Sequence, residues 1–546
     1  MGQTEPVMNR FLLLFSAMVC LTMSCADRTE QQASSESTLG ELQYILPVSD
    51  KARPEFDTGL LLLHSFEYDD AREAFEAAIR VDSTEIMAYW GVAMSYYKAL
   101  WGLQNIPAGR ETLARIADSK EARINAAEEG IERELWKGIE ILYGAGELKE
   151  RNEAYTEHMA KLYENYADSQ EVAAFYALAL MWSASIDADD EVYKMSANVA
   201  KGILKENPNH PGAVHYIIHA YDNPELAHLA INAANKYAEI APDAAHALHM
   251  PSHIYLGRGM WNEVVSSNET SYQASVKRME RKGLTDKARG FHSYQWLHYG
   301  YLQQGRFQKA AELLSDMLKY TAITQTSSAR SYLLKMQNMQ VTETGKWPLT
   351  VEPMTVKTDD IGIEKQAQQH FFISLMDTKN RDGSKIQSQI DSLDEKINTA
   401  ELLVTSAGIA MCSAGPTRYA PNKKFILNAK IMLSQMKAMH ALVSGDEEAA
   451  EAFFKQAIAH ESQAEYAFGP PDVVYPSFEH YGYWLLEKGR YNEAIEQFDT
   501  SLKRAPLRAM ALRGKIRALE ALGKVTAVAD IQSKLEKFWR QSALTI

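Results

Sequence analysis

A pair of histidines with three residues between them occurs twice in this chain, and the two copies lie 34 residues apart. His215 and His219 form the first copy, and His249 and His253 form the second. A period of about 34 residues is typical of a helix–turn–helix unit that stacks on its neighbours into a solenoid. The spacing therefore predicts a helical repeat protein in which equivalent helices of two neighbouring repeats carry the histidine pairs.

Small and aromatic residues recur in the units that this period defines. The units at 52–85 and 475–508 carry the clearest signature, with Gly59, Leu62, Ala71, Phe75 and Ala78 in the first and Gly482, Leu485, Ala494, Phe498 and Pro506 in the second. Related residues mark further units at 291–324 and 431–464. This signature belongs to the tetratricopeptide repeat (TPR). We therefore predict an all-α, TPR-type solenoid with a concave groove.

The repeats also divide the chain into regions. We predict an N-terminal TPR-like solenoid over 44–345 and a C-terminal one over 366–546. Between them, 346–365 contains two prolines and lacks helical periodicity, which predicts a loop.

The N-terminal segment is predicted to direct export. A short apolar run at 11–19 follows Arg10, and it fits a signal peptide rather than a membrane span. The residues Leu-Thr-Met-Ser-Cys at 21–25 resemble a bacterial lipobox. On this basis 1–24 is a lipoprotein signal peptide and Cys25 is the lipidated residue, with an ordinary secretory signal as the alternative. The polar residues that follow predict a lipid anchor and flexible tether over 25–43.

Charge, cysteine content and motifs exclude several classes of protein. The chain has 57 basic and 71 acidic side chains, a net charge of −14, and no basic cluster, so nucleic acid is not an expected partner. Removal of Cys20 and lipidation of Cys25 would leave Cys412 alone, so no intrachain disulfide is expected. Zincin, nucleophile-elbow and P-loop motifs are absent, and we therefore predict a non-catalytic protein.

The histidine pairs extend into two polar stripes. Helical geometry places residues i, i+4 and i+7 within an arc of about 60°. One stripe contains His215, His219 and Asp222, and the other contains His246, His249 and His253. Helices of adjacent repeats pack about 8–10 Å apart, so the stripes could meet at one ligand. His292 opens the next repeat and is a further groove-binding candidate.

Three interpretations of these residues stay open. The stripes could form a polar groove that binds a peptide, a glycan or another small ligand. They could instead hold Zn or Cu through His215, His219, His249 and His253, with Asp222 or His246 assisting. They could also satisfy buried polar groups between helices. No cofactor is required by the sequence, and Zn or Cu is the alternative.

Pro251 lies between two of these histidines, inside the helical pattern. An interior proline removes a backbone hydrogen bond and can cost about 3 kcal/mol, so it can mark a strained functional site. The other interpretation is that Pro251 starts a helix whose first turn is irregular.

Three segments of the chain resemble a widespread family of bacterial TPR proteins. They are His-Ala-Leu-His-Met-Pro-Ser-His-Ile at 246–254, Phe-Gly-Pro-Pro at 468–471, and 486–489 leading into Tyr491, Ala494 and Pro506. Lipoprotein versions resemble proteins encoded in polysaccharide-utilisation loci of marine Bacteroidetes, including loci for sulfated algal glycans such as ulvan. The resemblance implies a lipid-anchored scaffold of the Gram-negative outer membrane that binds envelope proteins, a peptide or a glycan, as an accessory to polysaccharide use.

Overall fold

The structure is a computed structural model that describes residues 39–43, 46–187, 190–348, 351–404, 421–464 and 469–540. The predicted signal peptide, Cys25, Cys412 and Phe468 lie outside the described residues. In the described part, α-helices form nearly all of the regular structure. The fold is therefore all-α, as predicted.

The first half of the solenoid runs from the N-terminal repeat to the histidine-bearing helices. Its α-helices are α1 Arg53–His64, α2 Tyr68–Val81, α3 Ile86–Ser95, α4 Ile106–Ala114, α5 Lys120–Ala126, α6 Ile131–Leu142, α7 Leu148–Asn165, α8 Gln170–Asp187, α9 Asp190–Glu206, α10 Pro211–Ala220, α11 Ile231–Ile240, α12 Ala245–His249 and α13 Pro251–Gly257.

The second half continues to the C-terminal repeat. Its α-helices are α14 Trp261–Arg281, α15 Phe291–Gln303, α16 Phe307–Thr324, α17 Ser327–Thr344, α18 Ile363–Asn380, α19 Gly383–Leu402, α20 Lys423–Val443, α21 Glu447–Glu461, α22 Ser477–Glu487, α23 Tyr491–Arg504, α24 Ala509–Ala521 and α25 Val525–Glu536. Short 3₁₀ turns lie at Ala99–Trp101, Ala227–Leu229 and Asp286–Ala288.

The described residues include one small antiparallel β-hairpin. Its strands are β1 Tyr97–Lys98 and β2 Leu103–Gln104, with Tyr97 paired to Gln104. The turn between the strands carries Trp101, whose side chain is 40% exposed. The hairpin therefore holds a large aromatic ring at the surface beside the helices.

The repeats pack through a phenylalanine that lies between two glycines. A Cβ atom on Gly59 of α1 would lie 2.7 Å from the Phe75 ring, and one on Gly91 of α3 would lie 2.5 Å from it. Phe498 of α23 is enclosed in the same way by Gly482 and Gly514. The absence of side chains at these glycines lets successive helices approach the ring closely, which is the packing expected of TPR units.

The ends of the solenoid contact its middle. In the N-terminal part, α1 packs on α10, and Nδ1 of His64 lies 2.8 Å from the Tyr216 hydroxyl. In the C-terminal part, the indole N–H of Trp261 donates to the carbonyl of Leu507 at 2.8 Å. Helix α10 thus contacts the N-terminal repeat, and α14 contacts the segment before α24.

Pro251 begins α13 directly after the short helix α12. Proline is well tolerated at this first position because its missing N–H would have no partner within the helix. Pro251 therefore starts a helix, as the second interpretation has it. The break before it divides the stripe of His246, His249 and His253 between α12 and α13.

No helix in the described ranges combines the length and the apolar character needed to cross a membrane.

Candidate functional site: two histidine triads facing one chamber

The first triad joins two helices of neighbouring repeats. His215 and His219 lie one turn apart on α10, and His246 lies on α12. One ring nitrogen from each of the three residues lies within 4.8 Å of the others. The Nε2 atoms of His215 and His246 are 3.2 Å apart. His215 and His246 are 31 positions apart in sequence, yet with His219 they direct three imidazoles to one point.

The second triad is built in the same way one repeat further along. His249 ends α12, His253 lies on α13, and His292 lies in the first turn of α15. Their ring nitrogens also lie within 4.8 Å of one another. The Nε2 atoms of His249 and His253 are 3.1 Å apart. Two nitrogens bound to one tetrahedral ion at about 2.0–2.1 Å would be about 3.3 Å apart, so the spacing suits a shared metal ion.

Hydrogen bonds fix the orientation of the second triad. Nδ1 of His253 donates to Oδ2 of Asp222 at 2.6 Å. Nδ1 of His249 lies 2.7 Å from Oδ1 of Asn268, whose amide donates to the carbonyl of Val264. That donation identifies Oδ1 of Asn268 as an acceptor, so Nδ1 of His249 carries the hydrogen. Both imidazoles therefore direct an Nε2 lone pair toward the triad centre.

The first triad is oriented by the N-terminal repeat. Nδ1 of His215 donates to the backbone carbonyl of His64 at 2.7 Å. A carbonyl can only accept, so Nε2 of His215 is left with a lone pair. Nε2 of His219 is buried and has no hydrogen-bond partner within the described part of the chain. A buried ring nitrogen without a partner is unfavourable unless something outside the protein binds it.

The His64 side chain belongs to a separate buried network. Its Nε2 lies 2.7 Å from Oε2 of Glu171, and Nε2 of His210 lies 3.3 Å from Oε1 of the same carboxylate. Nδ1 of His210 accepts the N–H of Ala213, and Nδ1 of His64 contacts the hydroxyl of Tyr216. All four ring nitrogens are thus hydrogen-bonded, so this cluster supports the triad helices and offers no open ligand position.

Burial favours the neutral form of four triad imidazoles, those of His215, His219, His246 and His249. Loss of solvent is the main cause that lowers the pKa of His215, His246 and His249 well below the usual range, and neighbouring imidazoles lower it further. The same burial lowers the pKa of His219 to about 3. Neutral imidazole is the form that binds metal ions, so these four residues need not release protons to receive a metal at neutral pH.

Both triads face one chamber of about 480 Å³. Leu100, Trp101, Met181, Tyr193 and Tyr332 line it opposite the histidines. The Trp101 ring lies 5.7 Å from the His246 ring, centroid to centroid, so the hairpin covers the first triad. A second cavity of about 290 Å³ shares His292 and Tyr332 with this chamber and is lined by charged side chains that include Lys335 and Asp472. The site can therefore hold a small molecule beside the histidines.

The structure brings all seven predicted groove residues together, but in a different grouping from the two predicted stripes. The expected metal quartet is divided, because each histidine pair gains a third imidazole from the next helix. His246 completes the first triad and His292 completes the second. Asp222 belongs to neither triad and instead orients His253.

Several residues that contact the candidate site are not predicted from the sequence. The carbonyl of His64 and the hairpin residue Trp101 come from more than 100 residues away, and no local pattern links them to the histidines. Asn268 could have been found from the sequence, because it lies on the helix that directly follows the second histidine pair.

This chain is similar to known proteins in its structure. No family model matches the sequence, and no curated protein sequence matches it. Similar solved structures cover 90% of this chain. One is the human IFIT1 dimer with m7Gppp-AAAA, which is 12% identical, has 96% of its chain covered and gives a TM-score of 0.34. Ypp1 is 11% identical, has 89% of its chain covered and gives a TM-score of 0.38. Yeast Tom70 is 10% identical, has 92% of its chain covered and gives a TM-score of 0.27. The TPR-type assignment rests on the helix pairs and glycine–phenylalanine packing of this chain.

Proposed function

We propose that this protein is a TPR-type solenoid that binds transition-metal ions in its central chamber, one ion at each histidine triad. One observation carries the proposal. The Nε2 atoms of His249 and His253 face each other at 3.1 Å, while the Nδ1 atoms of both rings donate elsewhere. Two lone pairs at that distance repel each other unless a cation lies between them, and a ring nitrogen of His292 lies within 4.8 Å of a ring nitrogen of each.

The orienting contacts support a metal more than a purely structural role. Histidine ligands of metals generally donate their second ring N–H to a carboxylate or a carbonyl group, which fixes the tautomer and increases the basicity of the ligand. His253 makes such a contact with Asp222, and His215 makes one with the carbonyl of His64. The same arrangement occurs in both triads, although the partners come from unrelated parts of the chain.

Binding of a small organic ligand is the second candidate function. The chamber offers Trp101, Tyr193 and Tyr332 as aromatic walls, and the adjoining cavity adds polar and charged groups. Such surfaces suit a sugar unit or a peptide side chain. A ligand of this kind would contact the histidines as donors and acceptors. This candidate predicts binding without metal.

The cellular setting is also part of the proposal. We propose that lipid at Cys25 anchors the solenoid in the cell envelope of a Gram-negative bacterium, at the outer membrane. There it would bind envelope proteins, a peptide or a glycan as an accessory to the use of sulfated algal polysaccharides. The lipobox-like residues at 21–25 and the sequence resemblance support this setting. Labelling with palmitate should be abolished by Cys25→Ser, and labelling that persists in that variant would refute the anchor.

Metal content of the full chain, purified without a histidine tag, tests the metal proposal. After dialysis against Zn or Cu and removal of free metal, we expect near-stoichiometric metal at both triads of the wild type. The double variant His215→Ala/His249→Ala should lose it, whereas His228→Ala, at an exposed histidine, should retain it. A wild type without metal whose stability is unchanged by the double substitution would favour the organic ligand. A loss of several kcal/mol without metal would favour the structural role.

A further inference from the structure

The two triads lie beside each other in the chamber. The rings of His246 and His249, which belong to different triads, have centroids 6.3 Å apart. The rings of His219 and His253 are also 6.3 Å apart. An ion bound to an imidazole nitrogen lies about 3.2 Å from the centroid of that ring. These ring separations allow two ions on the chamber side of the rings to share a small bridging ligand, as in two-metal sites with ions about 3.5–4 Å apart.

The ligand atoms of the triads favour copper. Each triad offers three neutral imidazole nitrogens, with neither a thiolate nor a carboxylate among the ligand atoms. Three histidines with one open position can hold zinc as well as copper, whereas structural zinc sites are closed by four protein ligands and non-haem iron oxygenases use a carboxylate beside two histidines. Cupric ions bind nitrogen ligands more tightly than the other common divalent first-row metals, and imidazole is a ligand that suits copper. A three-histidine site also leaves a coordination position open toward the chamber.

The surroundings supply negative charge without occupying that position. Oδ2 of Asp222 accepts from His253, and a carboxylate oxygen of Glu67 accepts the backbone N–H of His246. Asp222 lines the chamber with its Oδ2 engaged by His253, and the half-buried Glu67 contacts the backbone of His246 rather than a ring nitrogen. These two carboxylates would partly balance the charge of two cuprous ions without acting as ligands. The space between the triads therefore stays available for a bridging ligand.

We propose that the two triads act as one dinuclear copper centre that binds dioxygen between its ions. This inference rests on the proposed metal-binding function. Each cuprous ion gives one electron to dioxygen, which becomes a bound peroxide that bridges two cupric ions. Two electrons are transferred in total, no proton is required, and release of dioxygen reverses the step. The 480 Å³ chamber has room for the diatomic ligand beneath Trp101.

The test uses the full chain loaded with cuprous ions under anaerobic conditions. Exposure to dioxygen should consume one molecule for every two coppers and produce a near-ultraviolet charge-transfer band. The oxygenated protein should give almost no electron paramagnetic resonance signal, because two bridged cupric ions are magnetically coupled. A signal that accounts for all the copper, or two bound coppers that consume no dioxygen, would overturn the dinuclear centre and leave the metal-binding function standing. A chain that binds no copper would overturn both.

Two variants separate the triads. His292→Gln alters the exposed ligand of the second triad, and His219→Gln alters a ligand of the first. Each should retain copper at the other triad, lose the uptake of dioxygen, and show the resonance signal of a single cupric ion after chemical oxidation. His228→Gln, outside both triads, should behave as wild type. If both triad variants took up dioxygen as the wild type does, the inference would be wrong. His292 is accessible at the surface, so its replacement leaves the helix core intact.

Discussion

Oδ2 of Asp222 lies 2.6 Å from Nδ1 of His253 and so connects the end of one histidine-bearing helix to the next repeat. Asp222 follows α10, which carries the first histidine pair, and His253 lies on α13. The contact orients a ligand of the second triad from a residue of the repeat that supplies the first. A ligand of the second triad is therefore oriented by the repeat that carries the first.

Asp222→Asn should weaken the second triad without removing a ligand. Asparagine can still accept a hydrogen bond but carries no charge, so the imidazole of His253 becomes a weaker base. Changes of this kind typically reduce metal affinity about 10–100-fold. Titration against a metal chelator should show this loss for one of two bound ions. Asp530→Asn, on the surface helix α25, is the matched control, and equal affinities in both variants would contradict the role of Asp222.

Stability of the metal-free protein should depend on pH through His298. Burial lowers the pKa of this histidine to about 4, compared with about 6.5 for an unfolded chain. Below pH 6.5 the unfolded chain binds a proton that the folded chain refuses, so stability falls as pH falls toward 4. His298→Gln removes this contribution, which amounts to about 2 kcal/mol at pH 5.

Urea unfolding of the chelator-treated wild type and of His298→Gln at pH 7 and pH 5 measures the effect. The variant should lose less stability than the wild type on acidification, by about that amount. The same loss in both proteins would show that His298 does not contribute.

A methyl group at Gly91 should destabilise the N-terminal repeat. The new Cβ would lie 2.5 Å from the Phe75 ring, and Gly59 blocks the opposite side of that ring. Overpacking of this kind costs about 1–3 kcal/mol. Gly202→Ala on α9 is the control, because its Cβ would meet nothing within 4 Å and alanine favours the helix by about 0.5–1 kcal/mol. Chemical denaturation should therefore give effects of opposite sign, and equal effects would argue against this packing.

Arg508 should stabilise the contact between the C-terminal repeat and the middle of the solenoid. Its guanidinium is fully buried, lies 2.6 Å from Glu479 and 2.5 Å from Glu343, and donates to the Tyr299 hydroxyl. Arg508→Met would leave two buried carboxylates without a cation, at a cost of about 3–5 kcal/mol.

A surface arginine gives the matched comparison for that experiment. Arg490 pairs with Glu451 and Glu493 on the surface, where Arg490→Met should cost no more than about 1 kcal/mol. Unfolding free energies of the two variants within about 1 kcal/mol of each other would contradict the proposed contribution of Arg508.

The fold could be predicted from the sequence because each repeat repeats the same local contacts. The offsets of Gly59 and Phe75 mark where two helices touch, and that contact involves residues close in sequence. The periodic histidines likewise indicated helices that share one face. Periodicity is thus enough to predict the helix pairs and the approximate position of the candidate site.

The composition of each triad could not be predicted in this way. His246 and His249 share α12, yet His246 joins the first triad while His249 joins His253 across the break at Pro251. His215 is oriented by a carbonyl 151 residues away, and Trp101 reaches the chamber on a hairpin that no repeat signature contains. These relationships depend on how distant repeats pack, and a single sequence carries no local signal for that packing.

Anomalous diffraction from crystals of the metal-loaded full chain, recorded at the absorption edge of the metal, tests the central claim most directly. Two peaks are predicted in each chain, one at each triad, about 2.0–2.1 Å from the ligating histidine nitrogens. Peaks at other positions, or none at the triads in a loaded protein, would contradict the account.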